Sequence, residues 1–258
     1  NKKTVIIGGI AGGATAATRL RRRDESMEIV ILEKGEYISY ANCGLPYYIG
    51  DVIKSRDALL IQTPKAIKDK FDIDVRVSNE VTAIIPKEKK VKVKELLTGK
   101  EYEESYDNLI IATGSSPLKP PIPGIDSENI FTLWTMPDMD RIKAYMNEKQ
   151  PKRAAVIGGG FIGLEMAENL HKAGLHVSVI EMLDQVMAPI DKDMANLVHE
   201  NMKMNKVDLI LKDGVKEFNY KDGVTEIELQ SGKLIEADMV ILSIGVRPNS
   251  KLAAEAGL

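Results

Sequence analysis

A single cysteine, Cys43, occurs in 258 residues. One thiol excludes a disulfide framework and any metal site built from several thiolates. It also excludes a dithiol pair within this chain, so redox work at Cys43 needs a sulfur or oxygen partner from outside. Histidine is scarce as well. His171, His176 and His199 show no ligand spacing, so they are expected to be packing or solvated residues, and no metal is expected. No apolar run reaches the roughly 18 residues that a spanning helix needs. The chain opens Asn1-Lys2-Lys3-Thr4 and passes straight into a strand-like run, so no signal peptide is expected. A formal net charge of -3 gives no reason for nucleic acid or an anionic membrane as the main partner. Together these features favour the cytoplasm.

What is present is a unit written twice. The length suits two domains with their own cores. Val5-Ile6-Ile7-Gly8-Gly9-Ile10-Ala11-Gly12-Gly13 opens the first half, and Val156-Ile157-Gly158-Gly159-Gly160-Phe161-Ile162-Gly163 the second. Each is an apolar run, a cluster of glycines, then a stretch at helical spacing, which reads as strand, tight turn and helix. Each helix leads to another apolar run that ends in an acid, Glu33 or Glu181. The expected fold is α/β: two Rossmann-like dinucleotide-binding domains, each with a parallel sheet, crossover helices and an antiparallel β-meander. Leu109-Ile110-Ile111 and Val240-Ile241-Leu242 read as later buried strands of the two sheets. Residues 75–106 and 207–236 alternate apolar and polar and read as antiparallel strands. Thr63-Pro64 reads as an N-cap opening a helix to about Phe71. The Ser- and Pro-rich stretch 115–123 marks a domain crossing. The expected division is 1–115, 116–245, and a return from 246 to 258.

Glycines ahead of a helix let a pyrophosphate approach the backbone, where the helix N-terminus supplies N–H donors. The acid that ends the second strand accepts from ribose hydroxyls. The second turn, with Gly158, Gly160 and Gly163, is complete. The first carries Ile10 at its middle position, an expected departure that moves the backbone from a phosphate. Glu181 accepts from a 2′-hydroxyl but repels a 2′-phosphate, and Met182, Leu183 and Asp184 offer no cation. NADH is therefore expected over NADPH. The basic run from Lys87 to Lys94 reads as a solvated strand face, and Arg21-Arg22-Arg23 as a helix end favoured by the dipole.

The segment Ser39-Tyr40-Ala41-Asn42-Cys43-Gly44-Leu45-Pro46-Tyr47-Tyr48-Ile49-Gly50 holds the cysteine, with Pro46 suited to the first turn of a short helix. A thiolate is favoured near a helix N-terminus and can both attack a disulfide and donate to an oxidised flavin. This segment resembles the active-site motif of the coenzyme A-disulfide reductase and NADH-dependent persulfide reductase group of pyridine nucleotide-disulfide oxidoreductases. The resemblance extends to 8–13, to Ala112-Thr113-Gly114-Ser115-Ser116-Pro117, to the turn from Gly158 to Gly163, and to Gly245-Val246-Arg247-Pro248-Asn249.

The resemblance implies FAD at Gly8, Ile10, Ala11, Gly12, Gly13, Glu33, Lys34, Asn42, Val81, Ala112, Thr113 and Gly114. It implies NAD(P)H at Gly158, Gly160, Phe161, Ile162, Gly163, Glu181 and Gly245. It places coenzyme A along Thr15, Arg19, Arg22, Ser39 and Asn42. Cys43 is then the catalytic residue, reducing coenzyme A disulfide or persulfide through a mixed disulfide with coenzyme A. Members of this group continue past this sequence into the rest of the flavin domain and a dimerisation domain, some with a rhodanese domain, so a homodimer is expected of the full-length protein. Two other readings remain open. One is an NADH oxidase or peroxidase that cycles Cys43 through sulfenic acid. The other is a nucleotide-binding electron-transfer or regulatory module without thiol chemistry.

Overall fold

The computed structural model describes residues 2–258, and the chain forms two compact units. The first comprises Asn1–Ala41, Asp57–Ser116 and Pro248–Leu258; the second comprises Asn42–Arg56 and Pro117–Arg247.

The first unit opens with β1 (Lys3–Ile7), α1 (Ala11–Arg23) and β2 (Glu28–Leu32). Val5, Ile6, Ile29, Ile31 and Leu32 are almost wholly buried. Each such side chain contributes about 1.5–3 kcal/mol on leaving water, which is what closes the helix onto the strands. The five-residue α2 (Leu45–Ile49) follows in sequence but belongs to the second unit. The chain returns with α3 (Pro64–Phe71), whose N-cap Thr63 accepts the Ala66 N–H at 3.1 Å, as its sequence predicts. Then come β3 (Asp74–Arg76), the antiparallel β4 (Asn79–Ile85), β5 (Lys90–Glu95) and β6 (Glu101–Ser105), and β7 (Asn108–Ile111). The parallel sheet runs in the order β3-β2-β1-β7. Residues 74–76 thus extend the parallel sheet rather than opening the antiparallel one, because α3 is the crossover that returns the chain alongside β2. In β5, Val91 and Val93 are buried while Lys92 and Lys94 are exposed, the solvated face expected of that basic run. Arg21 departs from the expected free helix end: its guanidinium donates to the carbonyls of Phe71, Asp72 and Glu25, tying the end of α1 to the end of α3.

The chain passes onward through β8 (Ser115–Pro117). The second unit then holds β9 (Ile130–Thr132), α4 (Met136–Lys149), β10 (Arg153–Ile157), α5 (Phe161–Lys172), β11 (His176–Ile180), α6 (Lys192–Met204) and β12 (Asp208–Ile210). The hairpins β13 (Val215–Lys221), β14 (Val224–Leu229) and β15 (Leu234–Ala237) follow, then β16 (Met239–Leu242). The parallel sheet is ordered β12-β11-β10-β16-β9, with β13-β14-β15 a separate antiparallel sheet. Residues 208–210 therefore join the parallel sheet, again because a helix, α6, precedes them. Ile157, Ile180, Phe218, Ile227, Leu229, Val240 and Leu242 form the core between the two sheets. β17 (Val246–Pro248) leads back to α7 (Lys251–Glu255), whose Leu252 packs on Val81, Val91 and Val93 of the first unit.

Residues 42–56, which lie within the expected first stretch 1–115, cluster with the second unit. Their reason is visible in the side chains. Arg56 grips Asp140 of α4 through two bonds, at 2.8 and 2.7 Å. Lys143, also on α4, donates to the Ile49 carbonyl at 3.1 Å and pairs with Asp51 at 2.7 Å.

Candidate functional site

The two glycine-rich turns have the same construction. Gly8 has φ +102° and Gly158 φ +105°, the region where only glycine sits without strain. A Cβ on Gly8 would lie 2.2 Å from the Ala112 carbonyl oxygen, and one on Gly158 would lie 2.2 Å from that of Ser243. A Cβ on Gly13 would fall 1.7 Å from the Gly8 oxygen, and one on Gly163 would fall 2.0 Å from the Gly158 oxygen. These four glycines let each helix begin directly on its strand.

The helix starts are left open. Neither α1 nor α5 has a side-chain cap or an acid in its first turn, so the first N–H groups are available to an anion. Nothing stands within 4 Å of a Cβ placed on Gly160, and only the Ala112 Cβ, at 3.9 Å, approaches one on Gly12. Residues of this kind fit a dinucleotide pyrophosphate. Ile10 occupies the matching position, with φ -93° and ψ -120°.

The acids do more than the spacing suggested. Glu33 accepts the Gly9 N–H and the Gly35 N–H, each at 2.7 Å. Glu181 accepts the Gly159 N–H at 2.7 Å and the Leu183 N–H at 2.8 Å. Each carboxylate thus holds its own turn and the loop behind it. Gly9 and Gly159, which the pattern did not single out, are buried; a Cβ on either would press on Ile38 or Val186.

The remaining expected FAD contacts distribute unevenly. Ala11 is exposed at the start of α1, and Val81 is buried in β4. Lys34 is exposed and pairs with Glu80 at 2.8 Å. The Thr113 hydroxyl donates to the Asn249 carbonyl at 2.8 Å, and the Asn249 amide donates back to the Thr113 carbonyl at 2.9 Å, next to Gly114. Of the second set, Phe161 is exposed at the start of α5, Ile162 is half-buried, and Gly245 has φ +118° beyond β16.

Thr15, Arg19 and Arg22 are exposed and fall at i, i+4 and i+7 along α1, which puts them on one helix face. Neither arginine pairs with a carboxylate among the described residues. Ser39 takes φ +44° and donates its N–H to the Gly9 carbonyl at 3.1 Å. Asn42 and Cys43 are both exposed in a single 3-10 turn, Asn42–Gly44, in the second unit. α2 follows at once, but at five residues its dipole is small, so exposure rather than a long helix is what recommends the thiol. Of the histidines, His176 pairs with Asp208 and His199 accepts the Val186 N–H. Among the described residues no group of three His, Cys, Asp or Glu side chains could hold a metal, and no helix is long and apolar enough to cross a membrane.

The family model described as pyridine nucleotide-disulphide oxidoreductase matches residues 2–258. A coenzyme A disulfide reductase of Staphylococcus haemolyticus is 37% identical over 250 residues, 97% of this chain and 55% of the relative. An NADH oxidase of Methanocaldococcus jannaschii is 38% identical over 256 residues, 99% of this chain and 57% of the relative. The crystal structure of the reduced Bacillus anthracis protein CoADR-RHD superposes with a TM-score of 0.97 at 51% identity, covering 100% of this chain and 46% of that one. The chain spans little more than half the length of the curated relatives it matches.

Proposed function

The chain belongs to the pyridine nucleotide-disulphide oxidoreductase family, and on that premise we propose that the whole protein is an FAD-dependent enzyme that uses NADH to reduce a coenzyme A disulfide or persulfide at Cys43. The observation that carries this reading is the twofold construction of the turn, each copy with an open helix start and its own acid, in a chain with one exposed thiol.

In this reading Gly8 to Gly13, with the N–H groups opening α1, would hold the FAD pyrophosphate, and Glu33 would accept from its ribose. Lys34, Val81 and the segment from Ala112 to Gly114 would complete that site. Gly158 to Gly163 and Gly245 hold the nicotinamide nucleotide, with Glu181 selecting a free 2′-hydroxyl. FAD supplies a two-electron relay from NADH. The Cys43 thiolate attacks one sulfur of coenzyme A disulfide; the S–S bond breaks, Cys43 keeps one half as a mixed disulfide, and the other half leaves as a thiolate that takes up a proton. Two-electron reduction of the mixed disulfide, which the bound cofactors would supply, with uptake of one proton, then releases the second coenzyme A thiol and restores the Cys43 thiolate. Arg19 and Arg22, with Thr15 and Ser39, bind the phosphates of coenzyme A, for which a guanidinium fork is suited. The full-length protein acts in the cytoplasm as a homodimer.

Intact mass of the full-length protein, purified without reductant, tests this directly. Loss of a mass equal to coenzyme A on adding dithiothreitol, absent in Cys43→Ser, is the expected result. An unmodified Cys43 together with full disulfide reduction by Cys43→Ser would overturn it. The similarity to an NADH oxidase favours a second reading, in which Cys43 cycles through sulfenic acid. Trapping that acid with dimedone during turnover with oxygen or peroxide distinguishes the two.

A further inference from the structure

Gly50 closes α2, seven residues after the cysteine, and its conformation does not require glycine: φ is -80° and ψ 8°. What requires glycine there is space. A Cβ on Gly50 would lie 2.5 Å from Oδ1, 2.7 Å from Cβ and 3.0 Å from Cγ of Asn169 on α5. Asn169 is wholly buried. Its amide nitrogen donates to the Glu165 carbonyl one turn back at 2.8 Å, which fixes the plane of the side chain. Its Oδ1 has no hydrogen-bond partner among the described residues. A buried amide with an idle acceptor is an unusual choice for a helix–helix contact, where an apolar side chain would cost less. Here the oxygen faces the bare Cα of Gly50.

α2 is held by α4 as well. Lys143 of α4 donates to the Ile49 carbonyl, pairs with Asp51, and lies 5.7 Å from the centre of the Tyr48 ring. Leu45, Pro46 and Ile49 are buried beneath. So the short helix is clamped at its C-terminal end by Lys143 and stopped against Asn169. Its N-terminal end carries the exposed turn with Cys43. The same α5 that carries Asn169 opens at the glycine turn Gly158–Gly163.

We infer that Asn169 is a positioning residue for Cys43: its fixed amide, standing against Gly50, sets where the cysteine-bearing segment rests on the helix that opens at the nucleotide turn. This rests on the reading of Cys43 as the redox thiol. A Cβ at Gly50 must displace α2 by roughly 1 Å, and a misplacement of that size costs about 100-fold in a reaction that depends on alignment.

The test uses the full-length flavin-loaded protein and three readouts: the pH profile of Cys43 alkylation by iodoacetamide, NADH-dependent reduction of coenzyme A disulfide, and NADH-dependent reduction of ferricyanide, which needs no thiol. Gly50→Ala is expected to displace the alkylation profile and to lower disulfide reduction about 100-fold, with ferricyanide reduction held within about twofold. Asn169→Ala removes the stop without adding bulk, so it folds even if Gly50→Ala does not. It is expected to displace the alkylation profile as well. An Asn169→Ala protein whose alkylation profile and disulfide reduction both match the parent overturns the inference. Failure of the underlying reading looks different: Cys43→Ser then retains disulfide reduction, whatever the two packing variants do to alkylation.

Discussion

The Glu181 carboxylate accepts the Gly159 N–H at 2.7 Å, and Glu33 accepts that of Gly9 at the same distance. The acid just beyond β2 or β11 is therefore bonded to the turn that follows β1 or β10. Its charge is partly satisfied before any ribose arrives, and its place is set by the backbone it holds.

In the proposed reading, nucleotide choice turns on Glu181. In Glu181→Ala with Met182→Arg, the repelling carboxylate is gone and a guanidinium is available to a 2′-phosphate. The kcat/KM ratio of NADPH to NADH is expected to rise by about 10- to 100-fold. Steady-state kinetics with both nucleotides measure this; an unchanged ratio would mean that Glu181 does not meet the ribose.

Two glycines of the same turn separate folding from binding. Gly163→Ala puts a methyl 2.0 Å from the Gly158 oxygen, so it is expected to lower thermal stability by about 2 kcal/mol or more and to abolish tight NADH binding. Gly160→Ala meets nothing within 4 Å. It is expected to melt within about 0.5–1 kcal/mol of the parent, the ordinary helix-start cost, while weakening NADH by about tenfold. Calorimetry and NADH titration together decide both.

The exposed face of α1 gives a salt-sensitive prediction. Replacing Arg19 and Arg22 by Ala is expected to raise KM for coenzyme A disulfide at least about tenfold with little change in ferricyanide reduction, and to flatten the rise of KM with salt. A KM that does not move would remove these residues from the substrate path.

Glu104 gives a prediction about acid. Burial pushes its carboxyl up, but Lys3 and Arg76, each 2.5 Å away, outweigh that and hold it below the ordinary carboxylate value. A carboxyl lowered in the folded state stabilises the fold above its unfolded pKa, and that contribution is lost as pH falls through the folded value. Glu104→Gln is expected to cost about 1–2 kcal/mol at neutral pH, less than for a pair wholly shielded from water. The difference from the parent should shrink towards strongly acidic pH. Urea melts at two pH values check this; an undiminished difference in acid would contradict it.

Much of this was legible without coordinates. Strand, turn and helix at 5–20 and 156–170 follow from glycines with neighbours a few residues away, and Thr63 caps α3 through a bond spanning three residues. Pro46 sits in the first turn of α2 as its fixed φ suits. Arg21 shows the limit: its sequence neighbours predict a solvated helix end, whereas its partners at Phe71 and Asp72 lie about fifty residues on. The alternation over 75–106 and 207–236 reads as antiparallel throughout, but the short strands 74–76 and 208–210 join the parallel sheets: three residues carry no period, and the preceding helix returns them to a parallel edge.

By itself, then, the sequence determined the repeated unit, its two turns and acids, and the single thiol, because each depends on steric rules acting over a few residues. Tertiary structure decided the rest. It bonded each acid to its own turn, and it assigned residues 42–56 to the second unit through Arg56 and Lys143. It also set Gly50 against Asn169, more than a hundred residues apart, where the available space, and not the backbone angle, dictates the residue.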